Sequence, residues 1–122
     1  MVKLLSDNST GADDGLPASS FKQRVLKIIS VIPKGKVMSY GQVAAMAGSL
    51  RAARQVGGIL RHYEGSEEFP WWRVVNNAGR ISIKGNFIAT PAFQKQMLEG
   101  EGVVVDKDYS LDMEKYRYGV KI

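Results

Sequence analysis

The chain has 122 residues, no cysteine, one histidine and a net charge of +5. This excludes disulfides, thiolate metal sites and thiol nucleophiles, and no Gly-x-Ser-x-Gly elbow is there to present a serine to the single His62, which reads as a surface or core residue. At 44% hydrophobic and 24% charged the composition fits one globular domain, and no apolar run approaches the ~18 residues of a membrane span. No secretory signal is recognisable at the start, so the expected compartment is the cytoplasm, on the nucleoid in a bacterium, or the nucleus in a eukaryote.

Residues 1–20 are rich in Ser, Asp, Gly and Asn and lack periodicity, which predicts a flexible arm or a cloning remnant ahead of a domain over 21–122. From Phe21 onward, 16 Lys and Arg against 9 Asp and Glu leave a charge of +7. A balance of that sign favours a polyanion partner, nucleic acid first. The first helix is predicted from about Ser20 to Ile32, with Phe21, Val25, Ile28, Ile29 and Ile32 on one apolar face and Pro33-Lys34-Gly35 ending it. Lys36-Val37-Met38 reads as a short extended bridge. Ser39 then caps a second helix, Tyr40 to Ala47, and Gln42 completes a Ser-x-x-Gln capping box. Tyr40 falls in the first turn, at the positive end of the helix, where a phosphate is well received.

A third helix is predicted over about Leu50–Tyr63 after the Ala47-Gly48-Ser49 turn, making a helix-turn-helix pair. Ala53, Val56, Gly57 and Leu60 form its inward stripe; Arg51, Arg54, Gln55 and Arg61 lie off it. Gly57-Gly58 inside a helix costs about 1 kcal/mol per glycine relative to alanine, so close packing or a close approach of DNA is expected to offset it. The loop Glu64–Phe69 leads to Pro70 and to Trp72–Val75, read as a strand, with a turn at Asn76–Gly79 and a return strand Arg80–Ile83. In a strand, neighbouring side chains point to opposite faces, so Trp71 and Trp72 are not both expected in one core. After the loop Lys84–Phe87, Thr90 caps a fourth helix with Pro91 at its first position and Phe93, Met97 and Leu98 inside. Gly102–Val105 is a short buried run, and Tyr109–Tyr118 is a tail that folds back over the core. The expected fold is mainly α with a small β-hairpin, a winged-helix-like helix-turn-helix domain. No dimerisation heptad is present, and a monomer is expected.

Residues 21–122 resemble the C-terminal domain of the O6-alkylguanine-DNA alkyltransferases. The resemblance rests on Ser39-Tyr40-Gly41-Gln42-Val43-Ala44, on Ala52-Ala53-Arg54-Gln55-Val56-Gly57-Gly58 and on Pro70-Trp71-Trp72-Arg73-Val74-Val75, in that order. The family's active motif is Pro-Cys-His-Arg-Val; here Trp71 stands at the nucleophile and Trp72 at the base. An indole has no thiolate to accept an alkyl group, and Trp72 cannot relay a proton. The pattern is similar to that of the alkyltransferase-like proteins, with Trp at the cysteine position, although Trp72 departs from it. That resemblance implies a non-enzymatic sensor that binds O6-alkylguanine in duplex DNA and flags it for nucleotide excision repair proteins, without cofactor or metal. It implies that Tyr40 pushes the target phosphate, that Arg54 fills the vacated stack, and that Trp71, Trp72 and Lys84 form the lesion pocket. It further implies DNA contacts along Ser39, Gln42, Arg51, Ala52, Ala53, Gly57 and Arg73. Two other readings of the same residues stand beside it: a sequence-specific winged-helix regulator, and an enzyme such as a glycosylase using Glu67, Glu68 or Asp106 as base, none of which has a recognisable catalytic spacing.

Overall fold

The computed structural model describes residues 20–85 and 88–121. The expected arm lies outside them except for Ser20, as do Asn86 and Phe87 of the expected loop. Helix α1 (Phe21–Ser30) starts where Ser20 accepts a hydrogen bond from the Gln23 amide at 3.1 Å and donates its own amide to the Gln23 side chain at 2.9 Å. Val25, Ile29 and Ile32 are fully buried, as the periodicity requires. The second capping box forms in the same way: Ser39 and Gln42 exchange bonds of 3.0 Å at the start of α2 (Tyr40–Met46). Helix α3 (Ala53–Leu60) is shorter than the pattern suggests. Leu50 and Arg51 belong to a turn closed by the Ala52 amide on the Ser49 carbonyl, and the chain leaves the helix through further turns to Gly65. Thr90 caps α4 (Pro91–Gly100), and a short α5 (Met113–Tyr116) lies in the tail.

The β structure differs from the expected hairpin. Strand β1 (Met38–Ser39) runs parallel to β2 (Val74–Val75), with Met38 opposite Val74 and Ser39 opposite Val75, all four buried. The Asn76–Gly79 turn is present, held by the Asn76 side chain accepting from the Ala78 and Arg80 amides. Beyond it the return segment joins the tail instead. Ile81 donates to the Tyr109 carbonyl, and Arg80 bridges Ser110 in antiparallel fashion. The reason is a long-range competitor. Leu111 donates to the Gly79 carbonyl, and a Cβ on Gly79 would lie 2.5 Å from the Leu111 oxygen. A bare α-carbon at φ +83° therefore admits the tail where a wing strand was expected.

The tryptophan expectation also fails, for a local reason. Trp71–Arg73 is a single 3-10 turn, not a strand, so its side chains are spaced by about a third of a revolution and do not alternate. Both indoles enter the core, 1% and 6% exposed, edge to face at 6.0 Å. Buried indole N–H groups need acceptors. Trp71 donates to the Ser66 carbonyl at 2.8 Å and Trp72 to the Glu101 carboxylate at 2.9 Å. Gln94 on α4, also buried, ties the turn down by donating to the Trp72 and Val74 carbonyls.

Glu101, just past α4, gathers the donors around this turn. Besides Trp72 it accepts from the Gly35 amide at 3.1 Å and from Arg73 Nε and Nη2, the shortest bond being 2.6 Å. Arg73 also donates to the Ile32 carbonyl. Arg73 is thus 15% exposed and engaged inside the protein, which corrects its expected place on DNA. Burial alone would push the Glu101 carboxyl up; the bonds from Arg73, Gly35 and Trp72 and the Arg73 charge outweigh it and hold the group below the usual carboxylate value. A lowered carboxylate stabilises the fold above its unfolded-state value, and this is lost as pH falls through the folded-state value. Glu101→Gln is expected to lower the unfolding free energy by about 3 kcal/mol at neutral pH. The deficit should shrink in acid. Urea titrations at the two pH values test this, and equal stability at neutral pH would contradict it.

Candidate nucleic-acid interface

Because β1 is pinned to β2, the first residue of α2 is fixed beside the Asn76–Gly79 turn that follows β2. There a cavity of about 830 Å³ opens between Tyr40 and Gly41 of α2, one face of α3, the Asn76-Asn77 turn and residues 82–85 of the return segment. Arg54, Arg61 and Lys84 bring positive charge to its lining, and Glu64 brings a carboxylate. The Tyr40 ring is half-buried. Its hydroxyl is pushed up to about 12, first by burial and then by the charge of Glu64, against a hydrogen bond with the Ser82 hydroxyl that lowers it. The phenol therefore stays protonated at any physiological pH and can donate to an anionic oxygen.

Helix α3 meets the cavity with small residues. A Cβ on Gly57 would sit 3.9 Å from the Tyr40 ring, an ordinary contact, and one on Gly58 would meet nothing within 4 Å. Neither glycine is required by packing. The helix carries their conformational cost and in return shows a surface without side chains, flanked by exposed Arg51 and Arg54. Ala53 and Gly57 are half-buried beside them, whereas Ala52 is buried at the start of the helix and faces the core.

The structure thus brings together Tyr40, Ala53, Arg54, Gly57 and Lys84 in the cavity lining, with Arg51 exposed on the turn before α3. It does not bring the others. Ser39 and Gln42 are 2% and 1% exposed. Gln42 donates to the Tyr118 and Val120 carbonyls and accepts from Arg117, so its amide clamps the tail instead of facing DNA. Trp71 and Trp72 lie in the core and do not line the cavity, because the 3-10 turn rotates both inward and their N–H groups are satisfied there. Sequence reasoning missed Arg61, Glu64, Asn77 and Ser82. No sequence signal marked them; the structure shows why Gly41 follows Tyr40, since a Cβ there would stand 3.0 Å from the Asn77 side-chain oxygen. Among the described residues no His, Asp and Glu cluster could hold a metal ion.

Residues 20–103 match the family described as 6-O-methylguanine DNA methyltransferase, DNA binding domain. The chain belongs to this family. Its relatives divide into two kinds. It is 46% identical over 99 residues, 81% of this chain and 74% of the relative, to a protein of Escherichia coli named DNA base-flipping protein. It is 36% identical over 102 residues, 80% of this chain and 94% of the relative, to alkyltransferase-like protein 1 of Schizosaccharomyces pombe. The crystal structure of S. pombe Atl1 in complex with damaged DNA containing O6-carboxymethylguanine superposes with a TM-score of 0.74, covering 82% of this chain and 95% of that one. The human methylated-DNA–protein-cysteine methyltransferase is 39% identical over 84 residues, 68% of this chain and 39% of the enzyme. The mainly helical fold with its small two-stranded sheet is that of the alkyltransferase-like branch of the family.

The glycine surface gives a direct test. Gly58→Ala is expected to stabilise the fold by about 0.5–1 kcal/mol. If α3 approaches DNA closely there, the same change weakens duplex binding. Thermal unfolding and a DNA titration on one variant check both halves, and stabilisation with unchanged DNA affinity would contradict the close approach.

Proposed function

We propose that this protein is a non-enzymatic sensor of O6-alkylguanine in duplex DNA. The observation that carries this reading is the joint placement of Tyr40 and Arg54 on one cavity beside a helix face stripped of side chains, in a chain that has no thiol. In this reading α3 lies along the minor groove, where small residues follow shape more than sequence. Tyr40, protonated, donates to the phosphate of the target nucleotide as it rotates outward. Arg54 enters the gap left in the stack. Flipping costs a few kcal/mol of stacking and pairing, least for a base whose pairing is already damaged, and the inserted guanidinium offsets part of it. The turned-out base then occupies the cavity, with Lys84 at its lining.

Transfer of the alkyl group has no acceptor. Trp71, at the position of the family's cysteine, is sealed in the core with its N–H on a carbonyl, and Trp72 holds Glu101 and cannot act as a base. The bound lesion therefore persists, which suits a protein that marks damage for nucleotide excision repair proteins to remove. The regulator reading has less support, since the return segment that would form a wing is paired to the tail.

Tyr40→Phe and Arg54→Ala are each expected to weaken binding to O6-methylguanine duplex by tenfold or more. Tyr40→Phe, which loses the Ser82 bond, should cost about 1 kcal/mol of stability. Trp71→Cys is expected to give no single-turnover methyl transfer from labelled DNA, since Trp72 remains at the base position. Either binding variant behaving as the parent would exclude base flipping by these groups, and methyl transfer by Trp71→Cys would show that a base at position 72 is dispensable.

A further inference from the structure

The C-terminal tail is bound to the segment that carries Tyr40, at both of its ends. The tail follows the stretch that matches the family, which ends at residue 103. At the start of the segment, Val37 donates to the Tyr116 carbonyl at 2.9 Å and accepts from the Tyr118 amide at 2.7 Å. At the other end, Gln42 has every polar position of its side chain occupied. Its oxygen accepts from the Ser39 amide at 3.0 Å and from Arg117 at 2.7 Å. Its nitrogen donates to the Tyr118 carbonyl at 2.9 Å and to the Val120 carbonyl at 3.0 Å. Two carbonyls so close in the chain converge on one nitrogen because Gly119 between them lies at φ +84°, where a Cβ would stand 3.7 Å from that nitrogen. The helix cap does not call for this arrangement. A Ser-x-x-Glu box closes a helix as well as Ser-x-x-Gln, so the amide nitrogen of Gln42 serves the tail alone. It is 1% exposed, and a tail that left it would strand two buried donors.

We propose that the tail is a positioning element for Tyr40, with Gln42 as the positioning residue, and that it holds the backbone of the tyrosine while the target nucleotide turns. This rests on the base-flipping reading, which gives Tyr40 a phosphate to bear on. Tyr40 stands between the two clamps, three residues after Val37 and two before Gln42. A side chain that pushes a phosphate needs a backbone that does not yield, and a misplacement of about 1 Å is enough to lose such a contact. Arg51 and Arg54 stand on and before α3, to which the tail makes none of these bonds. Release of the tail therefore costs the preference for damaged DNA and spares general affinity for the duplex.

Two variants of the full chain release the tail from opposite sides. Gln42→Glu keeps an acceptor for the Ser39 amide and for Arg117 but turns an oxygen toward the two tail carbonyls. Gly119→Val leaves every side chain of α2 in place and puts a β-branched residue where φ is positive. Hydrogen exchange at the Tyr118 amide reports the release, and titrations of guanine and O6-methylguanine duplexes at fixed salt report the function. In each variant the Tyr118 amide is expected to lose protection, and the preference for the methylated duplex to fall from tenfold or more to within about threefold, with guanine duplex bound within about twofold of the parent. A freed amide with the parent's preference intact would overturn the proposal and leave base flipping standing, since the tail is then structural only. An equal loss on both duplexes would also overturn it, as the mark of general damage to the domain. An amide still protected in both variants would show that Gln42 does not hold the tail, and overturns the clamp. Should Gln42→Glu fail to fold, Gly119→Val decides. If the parent itself shows no preference, the proposal falls together with the base-flipping reading.

Discussion

Four donors from two parts of the chain converge on the Glu101 carboxylate, and the rest of the structure depends on that convergence. Gly35 comes from the end of the α1 segment, Trp72 and Arg73 from the 3-10 turn, and the acid itself from the end of α4. Arg73 adds a bond to the Ile32 carbonyl and so ties α1 to the same point. With the turn held, β2 leaves it in one direction and pairs with β1. Ser39 ends β1, and Tyr40 begins α2 one residue later. The position of the tyrosine at the cavity is thus set through the small sheet by the Arg73–Glu101 ion pair. Such pairs contribute little net stability compared with an apolar replacement, but removing one partner strands a charge.

The tryptophans bear directly on the proposed loss of transfer chemistry. An indole at position 71 fills volume, donates one hydrogen bond and attacks nothing. A second indole at position 72 uses its N–H on the acid that holds the turn. Both rings add apolar area to the core, and the edge-to-face pair adds packing of its own. In the proposed reading the protein is stable and unreactive while the features proposed to address DNA, Tyr40 and the small-residue face of α3, are unaffected. The glycines show the opposite allocation: they weaken α3, and beside Gly58 nothing inside the protein fills the space left open.

Local signals in the sequence carried most of the fold. Ser39-x-x-Gln42 and Thr90-Pro91 mark helix starts by chemistry that acts within four residues, and each forms as expected. What was not legible depends on distant partners. The parallel pairing of β1 with β2 joins residues far apart in the chain, and the tail that captures Arg80 and Ile81 follows them by about thirty positions. The 3-10 turn at Trp71 has no periodicity to read, and without it the tryptophans appear to alternate. The site was partly legible for the same reasons. Tyr40, Arg54, Gly57 and Lys84 belong to segments whose helical or loop character was clear. The DNA contacts that the resemblance implied for Gln42 and Arg73 fail because distant partners, the tail carbonyls and Glu101, hold both side chains, while Ser39 is taken up by its cap on α2. Glu64, in a loop of three glutamates, had nothing to distinguish it from Glu67 and Glu68 until the fold placed it at the cavity.

The central claim is that this cavity recognises damaged guanine in duplex DNA. The most direct measurement is an equilibrium titration, at one salt concentration, of two duplexes that differ by a single O6-methyl group, followed by anisotropy of a label on the DNA. The account predicts a preference of tenfold or more for the methylated duplex, about 1.4 kcal/mol. Equal binding to both duplexes would contradict it and leave a basic helix-turn-helix domain without a lesion to read.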